Sequence, residues 1–344
     1  MAFSRRLNRR ELLKALGLAG ATMALTGPLD WARAIGGAGT PPATGSVPRR
    51  PFGRTGIEVS ALCLGGAHLS RLESDKEAAS VIHEAIDAGI NFMDNAWEYA
   101  GGRAEEWMGK ALVGKRDQVF LMTKVCSHGR DKRVAMQQLE ESLRRLRTDY
   151  LDLWQIHEVI YEDDPDRHFA PGGAVEALVE AKKQGKVRFI GFTGHKDPSI
   201  HLKMLAHDFP FDACQLPLNV FDGTFRSFEQ GVLPELTRRG IAPLAMKTLS
   251  GNGEPIKQRV ISAEEALRYV LSLPVATVVS GIDSRDVLRQ NLGIVRRFVP
   301  MTAQEMAALR TRVAVYAADG RFELFKASRA YDGRIGREQH HIQS

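Results

Sequence analysis

An eight-stranded parallel β/α barrel with a short amino-terminal hairpin is the fold this sequence predicts, on three observations. From Arg50 onward, short β-rich runs alternate with helical stretches, eight strand–helix units in all. They fit within about 240 residues, the length such a barrel needs. Most of the runs are continuously apolar, as strands buried on both faces must be. No G-x-G-x-x-G follows any of them, which removes the main support for a doubly wound open sheet.

The strands are expected at Ala61–Gly65, Asn91–Asn95, Val119–Val125, Leu151–His157, Val187–Thr193, Ala213–Asn219, Ala242–Thr248 and Ala276–Gly281. Ahead of the first, Pro51–Ser60 carries Gly53 and Gly56 and suits a hairpin that plugs the barrel bottom. The helix pattern between strands is plain. Asp75–Ala88 sets Ala78, Ile82, Ala85 and Ile86 along one face and stops at Gly89; Val134–Leu146 does the same with Met136, Leu139, Leu143 and Leu146. Ser262 followed by Glu265 predicts a capping box, and Asp283 or Ser284 caps the helix that runs toward Phe298. Count and order are those of a TIM barrel over residues 50–320, with 321–344 as a polar C-terminal tail.

With 44% hydrophobic and 26% charged residues, the chain is neither disordered, nor fibrous, nor a polytopic membrane protein. The net charge of +6 overstates the basicity of the body. Residues 1–34 hold six basic and two acidic residues, which leaves 41 basic against 39 acidic in the rest, too even for a nucleic-acid-binding face. Cys63, Cys126 and Cys214 form no C-x-x-C pair, so neither a disulfide framework nor a cysteine zinc site is expected, and no other spacing supports a metal. The basic run Asn8-Arg9-Arg10-Glu11-Leu12-Leu13-Lys14, the uncharged stretch Ala15–Leu25 and then Ala32-Arg33-Ala34 read as a targeting segment with cleavage after Ala34. The uncharged stretch would rise about 16 Å as a helix, roughly half a bilayer core, so no stable membrane anchor is expected. The run resembles the twin-arginine export signal, which implies a folded cargo handed to the export machinery and a periplasmic or otherwise exported protein. Residues 35–49, rich in Gly, Pro and Thr, are expected as a flexible linker.

In such a barrel the chemistry sits at the carboxyl ends of the strands. Three consecutive strands end there on ionisable groups, Asp94, Lys124 and His157, spaced by 30 and 33 residues, one β/α unit each. Tyr99 follows Asp94 by five residues and can fold back over the same rim. An ammonium beside a phenol favours phenolate and should lower the Tyr99 pKa, with Asp94 holding Lys124 in place. Tyr99 would then be a usable general acid for a carbonyl oxygen, with His157 as a hydrogen-bond donor to it. None of the four is a good nucleophile for the carbon, which points to a hydride from a bound cofactor.

The segment Asn91-Phe-Met-Asp94-Asn-Ala-Trp-Glu-Tyr99 through Gly109-Lys-Ala-Leu112, with Leu121-Met-Thr-Lys124-Val, Leu151-Asp-Leu-Trp-Gln-Ile-His157 and Gly185–Thr193, resembles the aldo-keto reductases. The likeness spans about Arg50 to Phe298. It implies an NAD(P)H-dependent carbonyl reductase with Tyr99 as proton donor, Asp94 and Lys124 tuning it, and His157 orienting the carbonyl. On the cofactor side it implies contacts from Gly66, Thr193, Gln215, Met246, Lys247, Leu249, Gly251, Gln290 and Asn291. Here the sequence departs from the pattern. Thr193-Gly194-His195 stands where a Ser-Asn pair is usual, Met246 where many members stack a Tyr, and Gly281-Ile282 where many carry a Lys-Ser pair for the 2′-phosphate. Arg285 and Arg289 are the candidates to replace that pair, so the implied cofactor is NADP(H), possibly NAD(H).

Around the site, Glu158–Gly172 reads as a long acidic loop at the rim, and Trp97, Tyr161, Phe169 and Phe221 as candidate aromatic walls. The expected partner is a small-molecule carbonyl or the matching alcohol. The alternative is a nucleotide-binding barrel that acts as a redox sensor or accessory subunit with little turnover. The intact set of four rim residues weighs against it.

Overall fold

The structure is a computed structural model and describes residues 45–126, 131–339 and 341. The targeting segment and most of the expected linker lie outside these residues. Two short strands come first, β1 (Arg49–Pro51) and β2 (Glu58–Ser60), paired antiparallel. Eight parallel strands follow: β3 (Leu62–Gly65), β4 (Phe92–Asp94), β5 (Phe120–Cys126), β6 (Leu151–His157), β7 (Val187–Thr193), β8 (Ala213–Pro217), β9 (Ala242–Met246) and β10 (Thr277–Gly281). They pair in sequence order, and β10 closes on β3, so the sheet is a barrel without edges. This is the TIM barrel the strand–helix alternation predicts.

The outer helices α1 (Asp75–Asp87), α2 (Arg103–Ala111), α3 (Lys132–Leu146), α4 (Ala174–Lys183), α5 (Pro198–Ala206), α6 (Leu233–Arg239), α7 (Ala263–Leu271) and α8 (Arg285–Arg296) wrap it. Their starts follow local chemistry. Ser262 and Glu265 form the reciprocal capping box at α7, and Ser284, not Asp283, accepts from the Val287 amide at α8. No helix among the described residues is long and apolar enough to cross a membrane.

Strand periodicity sorts the side chains. Residues two apart share a face, so Phe92 and Asp94, then Phe120, Met122 and Lys124, then Leu153, Gln155 and His157 line the barrel interior from bottom to top. The hairpin inserts Phe52 into the bottom layer, with ring centroids 4.8 Å from Phe120, 5.7 Å from Phe189 and 6.1 Å from Phe92. Gly53 turns the hairpin at φ +56°, where an added Cβ would lie 2.5 Å from the Gly240 carbonyl oxygen, so no side chain fits. Arg50 ties the hairpin to the helix layer by donating to the Leu271 and Val275 carbonyls.

The two ends of the domain differ from expectation. Val47 is buried and Arg49 already pairs in β1, so ordered packing begins inside the stretch read as linker. The segment after residue 320 is not a free tail. Phe325 and Lys326 are fully buried, and the segment crosses the carboxyl-terminal rim. Its charges made it look solvated, but their partners lie far back in the chain. Lys326 Nζ donates to Asp222 (2.6 Å), Glu323 (3.0 Å) and the Phe225 carbonyl (2.8 Å). Asn219 donates to the same Glu323 at 2.9 Å.

Candidate active site

The four rim residues meet. Lys124 Nζ donates to Asp94 and to the Asn95 carbonyl (2.8 Å), and lies 3.2 Å from the Tyr99 hydroxyl. The Tyr99 and His157 rings pack edge to face with centroids 5.8 Å apart. Asp94 and Lys124 are buried. Burial works against the Lys124 charge, yet Asp94 and Tyr99 more than offset it and hold the ammonium above its ordinary range. For Tyr99 the expectation reverses. Burial raises its pKa, and although Lys124 pulls it down, Asp94 adds to the rise, leaving the phenol well above its ordinary value. The Tyr99 hydroxyl therefore keeps its proton, with the Lys124 ammonium beside it.

The loop that carries Tyr99 is shaped by three successive left-handed residues, Ala100, Gly101 and Gly102. At Gly102 an added Cβ would lie 2.5 Å from the Arg145 guanidinium carbon. Arg145 in turn pairs with buried Glu105 (3.2 Å) and donates to the Trp97 carbonyl (2.9 Å). Trp97 donates to Glu141 (2.8 Å) and packs on Arg145. Phe169 stacks on His207 in the helix layer, and Phe221 is buried against Phe322. Tyr161 reaches the C-terminal segment, with its hydroxyl 3.4 Å from Asp332. The acidic loop is ordered too, since Asp164 is buried and accepts from the Ile160 and Tyr161 amides.

Four further groups complete the rim. Glu98 Oε1 lies 2.9 Å from His157 Nδ1, and Glu98 Oε2 accepts from the Cys126 thiol at 3.1 Å. Glu158 takes His195 at 2.9 Å on one oxygen and the Gly333 amide at 2.7 Å on the other. His68 packs against Gly281, where an added Cβ would lie 2.3 Å from its ring. Lys196 reaches Asp332 and the Ser328 carbonyl (2.6 Å) and so holds the C-terminal segment down. The available signal was adjacency: Glu98 and Glu158 each abut a motif residue, and His195 follows the Thr-Gly pair.

The positions expected to hold a dinucleotide divide. Thr193 and Gln215 are buried on neighbouring strands, with Gln215 accepting from Gln155 at 3.1 Å. Gly194 explains the missing asparagine, because an added Cβ would lie 2.1 Å from the Val159 carbonyl oxygen. After Met246 the loop turns through left-handed Lys247, Ser250, Gly251 and Gly253. Among the described residues the buried hydroxyls of Thr248 and Ser250 have no hydrogen-bond partner. The Lys247 ammonium lies over the rings of Phe325 and Tyr331, 5.3 and 4.7 Å away. Burial lowers its pKa to about 8. A half-buried cation beside unsatisfied hydroxyls fits a pyrophosphate. Leu249 packs into the core and Gly251 lies against Tyr331, so both offer backbone alone. Gly66 is a packing glycine, with no room for a Cβ beside the Asp94 carbonyl.

The adenine side is less complete. Asn291 is buried and donates to Ser280 at 2.9 Å, while Gln290 is exposed. Arg289 pairs with Glu84 at 2.6 Å, and Arg285 reaches Ser80 and lies 3.9 Å from the same Glu84. Both guanidiniums thus already share a carboxylate on α1. Among the described residues no cluster of His, Cys, Asp and Glu could hold a metal ion.

Known proteins are similar in sequence and fold. The Aldo/keto reductase family model matches residues 61–253. An uncharacterized oxidoreductase of Bacillus subtilis is 27% identical over 78% of this chain and 98% of its own length. A 6-dehydroglucose reductase of Novosphingobium aromaticivorans is 30% identical over 59% of this chain and 69% of its own. Among solved structures, an aldo-keto reductase of Bacillus halodurans in its holo form superposes with a TM-score of 0.66 at 25% identity, covering 77% of this chain and 96% of that one. The matched segment runs from the first barrel strand past the seventh and takes in all four rim residues, and on that ground the chain belongs to the aldo/keto reductase family.

Proposed function

We propose that the protein reduces an aldehyde or ketone with a hydride from NADP(H), Tyr99 being the proton donor. One observation carries this reading: a single ammonium, Lys124 Nζ, touches both Asp94 and the Tyr99 hydroxyl, with the His157 ring beside them. Reduced nicotinamide, when bound, supplies the hydride. Thr193, Gln215 and Met246 would hold its ring, and Lys247 with the loop through Gly251 its pyrophosphate. As the carbonyl carbon gains its C–H bond, the π pair moves to oxygen and Tyr99 gives that oxygen its proton. Lys124 stabilises the phenolate left behind, and water returns the proton. In the other direction the same groups oxidise an alcohol.

The rim also bears on the substrate. Glu98 and Glu158 stand beside His157 and repel an acidic substrate, while carboxylates accept from hydroxyls. With one relative named for a dehydroglucose, they support an uncharged, hydroxyl-bearing carbonyl compound. The Glu84 pairing of Arg285 and Arg289 favours a second reading for the cofactor, NAD(H), whose ribose has no phosphate to bind.

The test adds NADPH and NADH in turn, follows protein fluorescence, then follows nicotinamide absorbance with a panel of aldehydes and hydroxyketones. Binding with absorbance loss is the reductase. Binding without loss for every carbonyl means a nucleotide-binding barrel that does not turn over. We further propose that Arg9-Arg10 directs export and that the mature chain begins near Ile35. Unchanged export of the Arg9→Lys, Arg10→Lys double variant would overturn the twin-arginine assignment.

A further inference from the structure

The C-terminal segment lies on the rim in two parts that are held differently. Residues 322–326 are an anchor: Phe322, Glu323, Phe325 and Lys326 are buried, and Lys326 closes the cluster with Asp222 and Glu323. Residues 328–333 are an outer span, with Arg329 and Ala330 exposed and Tyr331 half-buried. Polar contacts at its two ends hold this span down. Lys196 donates to the Ser328 carbonyl at 2.6 Å and pairs with Asp332, and the Gly333 amide donates to Glu158 at 2.7 Å. Tyr161 adds its hydroxyl, 3.4 Å from Asp332. All of these partners follow strands β6 and β7.

Between those ends the span carries Tyr331 onto the loop that follows β9. The Tyr331 ring lies 4.7 Å from the Lys247 ammonium and against Gly251, where an added Cβ would be 3.2 Å from its edge. Lys247, the Gly251 backbone and the hydroxyls of Thr248 and Ser250, which have no hydrogen-bond partner among the described residues, are the groups that fit a pyrophosphate. The Arg71 charge reaches the same place, since it acts on both Tyr331 and His68. The aromatic ring thus covers the cation that a phosphate would seek. The ties that hold the span, by contrast, go to residues outside the set fitted to the dinucleotide, so they are made with or without it.

We propose that residues 328–333 form a gate over the pyrophosphate site: the span lifts from its anchor to let the dinucleotide in or out, and the Lys196–Asp332 pair is its latch. This rests on the dinucleotide-binding function proposed above. It adds that the latch sets how fast the cofactor exchanges and not how tightly it is held.

Full-length Asp332→Asn keeps the shape of the side chain and removes the charge that Lys196 grips. Entry and release of NADPH are followed by stopped-flow fluorescence, and hydrogen exchange reports on the segment. A latch of charge-assisted hydrogen bonds, once weakened, should raise the open population about tenfold. The association and dissociation rates should both rise by about that factor, while Kd stays within twofold. Exchange should quicken over residues 328–333, with 322–326 as protected as in the parent. Lys196→Met should give the same pattern from the other partner. Faster release alone, with Kd weakened to match, would make the span a wall of the site and overturn the gate. Faster entry alone, with Kd tightened, would make Tyr331 a competitor of the phosphate and overturn it as well. Unmoved rates would overturn it whether or not exchange quickens. A parent protein that binds neither NADPH nor NADH would instead defeat the functional reading, and the gate with it.

Discussion

At the amino-terminal end of the barrel, Phe52 meets Phe92, Phe120 and Phe189 in a dry aromatic layer. At the carboxyl-terminal end the same strands β4, β5 and β6 finish in Asp94, Lys124 and His157, and the C-terminal segment adds Glu323, Lys326 and Asp332. Two residues of strand in β4, and four in β5 and β6, separate an all-apolar layer from a layer of charges. The bottom is held by area removed from water, each large side chain contributing roughly 1.5–3 kcal/mol. The top gains little from area and depends on pairing, because a buried charge without a partner is costly. That contrast explains why the rim can hold a loaded phenol next to an ammonium: the rigid end of the barrel supplies the stability that the reactive end does without.

The contrast can be broken first at the bottom. Phe52→Ala should cost ~3–5 kcal/mol, read by chemical denaturation, while kcat of the folded fraction is unchanged. Lost turnover without lost stability would show that the two ends are not separable. At the top, Lys326→Met leaves Asp222 and Glu323 buried without their cation, a loss of ~3 kcal/mol. It should appear as faster hydrogen exchange over residues 322–333, with the β5 and β6 amides unaffected. Uniform acceleration would mean that the C-terminal segment is part of the global core.

The same cluster has a pH signature. Burial pushes Glu323 up to about 7, partly offset by Lys326. The folded state therefore holds a proton that the unfolded chain releases above the ordinary value of 4.5. The segment should be best docked below that value and lose stability as pH rises to about 7, with a plateau beyond. Exchange rates at pH 5 and pH 8, corrected for intrinsic chemistry, check the sign, and Glu323→Gln should flatten the difference. The smallest effect is expected at the adenine side. Arg289→Ala removes an exposed pair with Glu84 and should leave stability essentially unchanged, since solvent screens such a pair. If the arginine binds a 2′-phosphate, the NADPH-over-NADH preference should shrink as well; an unchanged ratio assigns Arg289 to Glu84 alone.

The sequence made much of this visible, for a physical reason. Strands alternate inward and outward, so apolar Phe120 and Met122 announce that Lys124 also points inward, and β/α spacing puts Asp94 and His157 on the same rim. Capping chemistry is equally local, which is why Ser262 and Glu265 could be read in place. What escaped was long-range pairing. Glu98 and His157 are 59 residues apart and meet only because β4 and β6 flank β5. Lys326 reads as a solvated tail charge until Asp222, 104 residues earlier, is seen beneath it. The direction of the Tyr99 shift escaped for the same reason: an ammonium can be counted in a sequence, but the burial that outweighs it cannot.

The central claim is that Tyr99 gives the carbonyl its proton. It is tested most directly by single-turnover decay of bound NADPH absorbance in Tyr99→Phe, with a carbonyl the parent protein reduces. The ring stays and the proton goes, so the rate should fall by at least ~10²-fold while the Kd for NADPH measured by fluorescence is unchanged. Decay at the parent rate would contradict the account and move the proton donor to another group.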